Sequence, residues 1–201
     1  MLSSPQLNSH LSLGQKEQKL PLQQFYKGDE ISVADLGIWQ VYRGVVQLSR
    51  IQEDGSEIIS GWVTANGIFG NILDNSVLYR AVALGNVYAK RYASHDIVRH
   101  PMLARQFLAQ LSDRLIKSQH LLAIISINPV EERLKQLLSM FKLEFGQTVS
   151  DGVRLQVRFT HQHLAEAAHT TRVTVTRTLG DFQDRGLIYF DNDKHIVIKA
   201  L

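Results

Sequence analysis

The chain has 201 residues, 44% hydrophobic and 20% charged, with 22 Lys/Arg against 19 Asp/Glu and a formal net charge of +3. That is the composition of an ordinary globular protein, long enough for one large domain or two small ones, each with its own core. It has no cysteine, which excludes disulfides, thiolate zinc sites and cysteine-held iron–sulfur clusters, and no run approaches the roughly 18 apolar residues that span a bilayer.

Residues 1–20 show no periodic pattern and read as a loosely held arm. They are polar and lack an apolar signal core, so the expectation is a cytoplasmic protein without a membrane partner. From Phe25 to Tyr92 the texture changes to short β-rich segments punctuated by Gly, Asp and Asn. Ile38 to Ile51 is strand-like with a glycine at a bend, and EDGSE after it is a hairpin turn. Ile58 to Val63, a turn at Ala65-Asn66-Gly67 and Val87 to Tyr92 follow. Short strands at this spacing predict a small β-sandwich or roll.

Pro101 suits the first turn of a helix, and no further Pro or Gly interrupts the segment to Ser126. Within it Ala104, Leu108, Leu111, Leu115, Ser118, Leu122 and Ile125 recur in steps of four and three, a heptad seam. Leu103 and Phe107 form an additional apolar face. The helix is therefore expected to pack one side on its own roll and to pair the seam with a second copy, two-fold dimers being the commonest symmetric assembly. The roll and this helix make up residues 21–126, and a second domain runs from 127 to 201.

Asn128-Pro129 breaks the helix, since the residue before proline avoids the α region. Val130 to Phe145 reads as an amphipathic helix closed by Gly146. A polar loop and a short strand, Arg154 to Phe159, then lead into the most informative stretch, FTHQHLAEAAHTTRVTVTRTLGDFQDR. Thr160 can cap a helix running to about Ala168, with Leu164, Ala165 and Ala168 on one small apolar side. A second helix, starting at Thr170 or Thr171, carries Val175, Leu179 and Phe182 as a buried stripe. The same spacing turns Arg172, Val173, Thr176 and Arg177 outward. RVTVT alternates and is β-branched, so by propensity it would be a strand; the stripe through Phe182 and the capping threonine favour the helix.

Gly186 ends that helix, and Leu187 to Phe190 and His195 to Lys199 form a hairpin about the turn Asp191 to Lys194. The predicted fold class is α+β: an N-terminal roll, a long helix and a C-terminal winged helix-turn-helix. From Ile127 onward ten Lys/Arg stand against nine Asp/Glu, so the positive charge is local: Thr170 to Thr178 holds two arginines and no acid. Where such charge sits matters more for binding double-stranded DNA than its sum.

An enzyme reading finds little. A metal oxygenase on a small barrel needs converging histidines and a carboxylate, and Leu11 to Ser94 contains no histidine. His161 and His163 are two apart on a helix, so they fall on different sides and predict no metal site. No Ser-His-Asp grouping, P-loop or GxSxG motif is present. A non-DNA scaffold, or a structural helical pair with solvated arginines, is the plainer alternative. It leaves two outward arginines without acids unexplained.

With these parts in order, the chain from about Phe25 onward resembles the CRP/FNR superfamily of bacterial transcription regulators, whose roll is a cyclic-nucleotide-binding-type jelly roll. TTRVTVTRTLGDF is similar to the recognition helix of the cyanobacterial global nitrogen regulator subgroup. The resemblance implies a homodimer that reads a palindrome and works with RNA polymerase. It implies base reading by Arg172 and Arg177, with Thr171 and Thr176 beside them, and phosphate contacts at Thr160, Gln162 and His195. A guanidinium can bond both major-groove acceptors of guanine. Val173 matches the nitrogen regulator's valine where the cyclic-AMP receptor has glutamate, which implies a GTA…TAC-type site. His169 stands where the subgroup has glycine, and histidine tolerates the left-handed conformation better than most residues.

The resemblance also implies an effector pocket between roll and long helix. For cyclic nucleotides the family uses a Gly-Glu-Leu turn and an Arg-Ser pair. The corresponding residues here are Gly70-Asn71-Ile72 and Arg80-Ala81, which lack the ribose acceptor and one phosphate donor and so disfavour cyclic AMP. For 2-oxoglutarate the subgroup uses a Phe-Gly turn and charged residues. Phe69-Gly70 and Arg114 match, but Val77 and Gln119 replace an arginine and a glutamate, and valine cannot pair a carboxylate. Ser118 and Gln119 remain polar near the seam, where one polar residue can also fix pairing register. The effector (2-oxoglutarate, another ligand or none), the target genes, and activation versus repression stay open at this point.

Overall fold

The computed structural model describes residues 21–34, 36–55, 57–71 and 79–201. The arm at 1–20, Ile72 and Val77 lie outside the described residues. The first half is built from β1 (Gln23–Phe25), β2 (Gly37–Arg43), β3 (Val46–Ile51), β4 (Glu57–Val63), β5 (Ile68–Asn71), β6 (Tyr79–Ala83) and β7 (Val87–Ala93). They form two antiparallel sheets, ordered β1-β7-β2-β5 and β4-β3-β6.

The segment expected as one bent strand from Ile38 to Ile51 is divided between those sheets. Gly44 makes the division: its φ is +94°, and a Cβ there would meet the Asn86 carbonyl oxygen at 2.4 Å. Only glycine fits so close an approach in that conformation. With side chains alternating across each strand, Trp39, Val41, Phe69, Val87 and Ala89 of one sheet face Val46, Leu48, Val63, Ala81 and Ala83 of the other. The Trp39 and Phe69 rings stack at 6.3 Å within this core. Sequence reading missed β1, β5 and β6 because they are short, and β6 buries alanines rather than β-branched residues.

The outer face of the first sheet offers Ile38 and Ile68, which are covered by Ile97 and Phe107. These come from α1 (Ser94–Arg99), a short helix not anticipated, and from α2 (Pro101–Ile125), which has proline in its first turn as expected. The helix therefore packs on its own roll through the Leu103/Phe107 face. The seam differs at its ends. Ala104 packs against the roll cluster and Ile125 against the larger core, whereas Leu108, Leu111, Leu115 and Leu122 stay 48–66% exposed.

Beyond Pro129, α3 (Val130–Phe145) has the predicted bounds. The following residues are not a polar loop and a strand at 154–159. They form a hairpin, β8 (Gly146–Val149) and β9 (Gly152–Leu155), and the ladder stops at Leu155. Val157 and Phe159 leave it to enter the core, where the Phe159 ring stacks on Phe141 at 4.6 Å. Then come α4 (His161–Ala167), α5 (Arg172–Asp184), β10 (Ile188–Phe190) and β11 (Ile196–Ile198). The sheet order β10-β11-β9-β8 completes a winged helix-turn-helix.

One apolar cluster joins the halves. Val45 and Ile59 of the roll, Leu121 and Ile124 of α2, and Leu134, Leu138 and Phe141 of α3 are continuous with the helix-turn-helix and wing. Trp62 of β4 sets its edge on Phe141 at 4.7 Å. Lys117 of α2 ties the same region by ion pairs to Asp113 at 2.9 Å and to Glu144 of α3 at 2.7 Å. Phe141→Ala is expected to cost about 3–5 kcal/mol, the range for emptying a buried phenylalanine site. Urea unfolding at constant m-value would show it as a lower midpoint.

Candidate nucleic-acid interface

The helix-turn-helix is held by caps written into the local sequence. The Thr160 hydroxyl accepts the His163 main-chain N–H at 3.1 Å, and the His163 ring accepts the Thr160 N–H, a reciprocal box with histidine in place of glutamate. Thr171 caps α5 in the same way, accepting the Thr174 N–H at 3.1 Å. Both helices end alike. The Leu187 N–H reaches back to the Phe182 carbonyl past Gly186 at φ 68°, and the Thr170 N–H reaches the Ala165 carbonyl past His169 at φ 47°. This closure requires a left-handed residue. At the interhelical turn histidine fills the place that glycine takes at 186.

The RVTVT segment is helical. Val175, Leu179 and Phe182 are 0–1% exposed and pack with Leu164, Ala165 and Ala168 of α4. Burial of that stripe outweighs the β propensity of the segment, which is worth less per residue than an apolar side chain moved out of water. The opposite face carries Arg172, Val173, Thr176 and Arg177, all exposed, with Val173 at 79%. Arg172 and Arg177 make no side-chain hydrogen bond or ion pair among the described residues. Two guanidinium groups and a methyl pair thus project from one helix face into solvent, free to meet acceptors and an apolar spot on a partner.

Thr176 is less free than the sequence suggested. Its hydroxyl donates to the Arg172 carbonyl at 2.9 Å and takes the Nδ1 proton of His161 at 2.8 Å. From sequence His161 was weighed only as a metal ligand, because only the packing of α4 across α5 brings it to Thr176. Thr160 keeps its hydroxyl proton for a partner, while Gln162 is engaged with Glu166 at 2.8 Å. His195 is placed differently from the simple expectation. Its Nδ1 donates to the Leu155 carbonyl at 2.8 Å, so its ring could donate to a phosphate only from Nε2, and only when both nitrogens carry protons.

The wing is held by Arg154 of β9, whose guanidinium pairs with Asp191 and, at 3.4 Å, with Asp193 in the turn. Asp191 also accepts the His195 main-chain N–H at 2.8 Å. Burial raises the carboxyl's pKa, but the Arg154 hydrogen bond and charge with the His195 N–H outweigh it and hold the group below its ordinary value. Lys194 stands exposed at the wing tip, with φ 65°.

At the roll–helix junction the expected pocket residues divide: Gly70 and Arg114 both contact Tyr79, whereas Arg80 turns to other partners. Phe69 is buried in the roll core. Gly70, at φ 124°, lies so close to the Gly37 carbonyl that a Cβ would meet it at 2.3 Å, and Asn71 pairs with Gly37 at the end of β5. Arg80 is drawn to two carboxylates, Glu30 at 2.8 Å and Glu57 at 3.5 Å. Arg114 sits over the Tyr79 ring at 5.8 Å. Arg114 and Ser118 do share a cavity of about 110 Å³ with Leu48, Ser60, Trp62 and Glu144. Gln119 is exposed on the helix.

A winged helix-turn-helix that presents two arginines, unpaired among the described residues, beside a roll and a long helix defines a DNA-binding transcription regulator. Comparison agrees: a family model described as a Crp-like helix-turn-helix domain matches residues 132–201. The Global nitrogen regulator of Synechococcus elongatus is 33% identical over 184 residues, covering 85% of this chain and 83% of that protein. The Regulatory protein CysR of the same organism is 28% identical over 165 residues, covering 81% and 76%. Among solved structures, a CRP-family transcriptional regulator from Thermus thermophilus superposes with a TM-score of 0.75 at 17% identity, covering 89% of this chain and 92% of that one. The chain belongs to the CRP/FNR family of transcription regulators. No helix among the described residues is long and apolar enough to cross a membrane.

Two outcomes follow from the local chemistry. His169→Gly should raise stability by about 0.5–1 kcal/mol by removing a side chain from the left-handed position, read as a higher melting temperature with the fold unchanged. Because Asp191 titrates below its unfolded value, its pairing stabilises fully above about pH 4 and is lost as the pH falls through the folded pKa. Asp191→Asn should therefore lower the melting temperature near neutral pH, and the gap to wild type should shrink on acidification.

Proposed function

We propose that this regulator binds DNA as a homodimer on a two-fold GTA…TAC-type palindrome. The observation that carries the reading is the outward face of α5, where Arg172 and Arg177 are unpaired among the described residues and Val173 is exposed between them. Arginine can bond guanine O6 and N7 together, and valine can pack on a thymine methyl but cannot accept from cytosine N4. The exposed Leu108, Leu111, Leu115 and Leu122 stripe supports pairing of α2 with a second copy. Pairing there sets the two recognition helices about one DNA turn, roughly 34 Å, apart. In this reading the protein is cytoplasmic, is not an enzyme, and works with RNA polymerase at promoters. Similarity to nitrogen regulators of three cyanobacteria supports targets tied to nitrogen or carbon status.

For the input, the geometry favours DNA binding without a small-molecule effector. Arg80 is held by two glutamates, Arg114 rests over Tyr79, and Gln119 supplies no charge. These placements argue against 2-oxoglutarate and cyclic AMP as required ligands. Fluorescence anisotropy on the palindrome with 2-oxoglutarate, with cyclic AMP and with neither should give one affinity; a large gain with either ligand refutes effector independence.

Arg172→Ala should lose about 1–3 kcal/mol of discrimination at a single guanine, measured as the ratio of affinities for the palindrome and its substituted form. Equal weakening on specific and random duplexes would remove Arg172 from base reading. Leu115→Lys places a charge in the exposed stripe and should give a monomer by sedimentation, with weakened binding to the full palindrome. A variant that stays dimeric would move the interface elsewhere.

A further inference from the structure

An anion bridging the roll and the long helix would be drawn to a main-chain donor on the roll and a cation on the helix. In this chain both are already in contact with one side chain. The hydroxyl of Tyr79 accepts the main-chain N–H of Gly70, which fastens the start of β6 to the end of β5. On the other side, the guanidinium of Arg114, from the middle of α2, lies over the Tyr79 ring at 5.8 Å. The ring itself packs against the roll core that contains Phe69. A cation over a partly desolvated aromatic face is attractive, and a hydrogen bond to a main-chain donor is directional. Tyr79 is therefore held by three different elements of the fold.

The neighbouring charges do not compete for it. Arg80, one residue on, is turned to Glu30 and Glu57, and Lys117, one turn along α2 from Arg114, is paired with Asp113 and Glu144. Burial raises the phenol's pKa, although Arg114 draws it down, so the hydroxyl keeps its proton at neutral pH. The Gly70 N–H cannot be presented by another residue type, because a Cβ there would collide with the Gly37 carbonyl oxygen.

We infer that Tyr79 is a built-in occupant of the roll–helix junction: its phenol links the Gly70 amide to Arg114 of α2 and takes the place of a diffusible effector. The inference rests on the effector-independent reading above and deepens it, since it names the group that makes a free ligand unnecessary. An added anion would have to displace the phenol to reach both the Gly70 amide and Arg114 at once. The link also runs between the sheet that carries β5 and the helix whose exposed stripe pairs the two copies, so its loss should be felt at the DNA.

The test uses the full-length protein with two variants. In Tyr79→Phe the ring stays over Arg114 and the hydroxyl is gone, so amide exchange at Gly70 should quicken at least about tenfold, a local opening without global unfolding. Unchanged protection at Gly70 overturns the hydroxyl link whatever happens to DNA binding. In Tyr79→Ala, the affinity for the palindrome should fall at least about tenfold, and millimolar p-cresol, a free phenol, should restore most of it and raise the melting temperature. Wild-type protein should show neither response to p-cresol. Wild-type DNA affinity in Tyr79→Ala, or a folded Tyr79→Ala that gains nothing from p-cresol, overturns the inference. If wild-type protein needed an added effector to bind DNA, the effector-independent reading would fail, while the Gly70 exchange result would still judge the Tyr79 link.

Discussion

The packing around Phe141 is the constraint on which the rest of this structure depends. Its ring is fully buried, stacked on Phe159 at 4.6 Å, close to Phe145 at 5.1 Å and edged by Trp62 at 4.7 Å. Those partners come from the segment entering the helix-turn-helix, from the end of α3 and from the roll. A single aromatic cluster therefore fixes the helix-turn-helix relative to the roll. Aromatic side chains suit this task, because each buries a large area and prefers definite offset or edge geometries. Phe159 belongs to this cluster rather than to a strand, which is why the ladder ends at Leu155 and α4 begins where it does.

From that fixed base the recognition helix is presented by short-range chemistry. Threonines cap both helices, and left-handed closures end both. The helix-turn-helix tolerates a β-branched stretch because Val175 and its partners are removed from water. The outward side chains are then placed by helical geometry alone. Thr176 and His161 show what that leaves out: a residue on the outward face can be committed sideways by a neighbouring helix, and the commitment depends on the crossing of α4 and α5.

The junction between roll and long helix follows a different logic. Its residues come from β5, β6 and α2, and their partners are chosen by competition among charges and buried donors. Arg80 takes glutamates from two other parts of the roll, whereas Arg114 settles over Tyr79. A pocket drawn up from residue types alone would have put both arginines on one anion. The fold separates them.

Much of the architecture was legible in the residues themselves. The heptad steps along α2, the proline that opens it, the bounds of α3 and the stripe in α5 are local periodicities, and a helix needs only its own sequence to display them. The division of the strand-like segment at Gly44, the short alanine-bearing β6, the β8–β9 hairpin and the unforeseen α1 were not legible in this way. Most of them exist because distant strands, or a sheet face, complete their hydrogen bonds and burial, and the β8–β9 hairpin, though local, is anchored by β9 pairing with β11. The outward arginines of α5 were readable from sequence because 3.6-residue geometry sets their direction. The partners of Arg80, Arg114, Thr176, His195 and Tyr79 were decided by tertiary structure, since a hydrogen bond or ion pair between residues far apart in the chain exists only once the fold has brought them together.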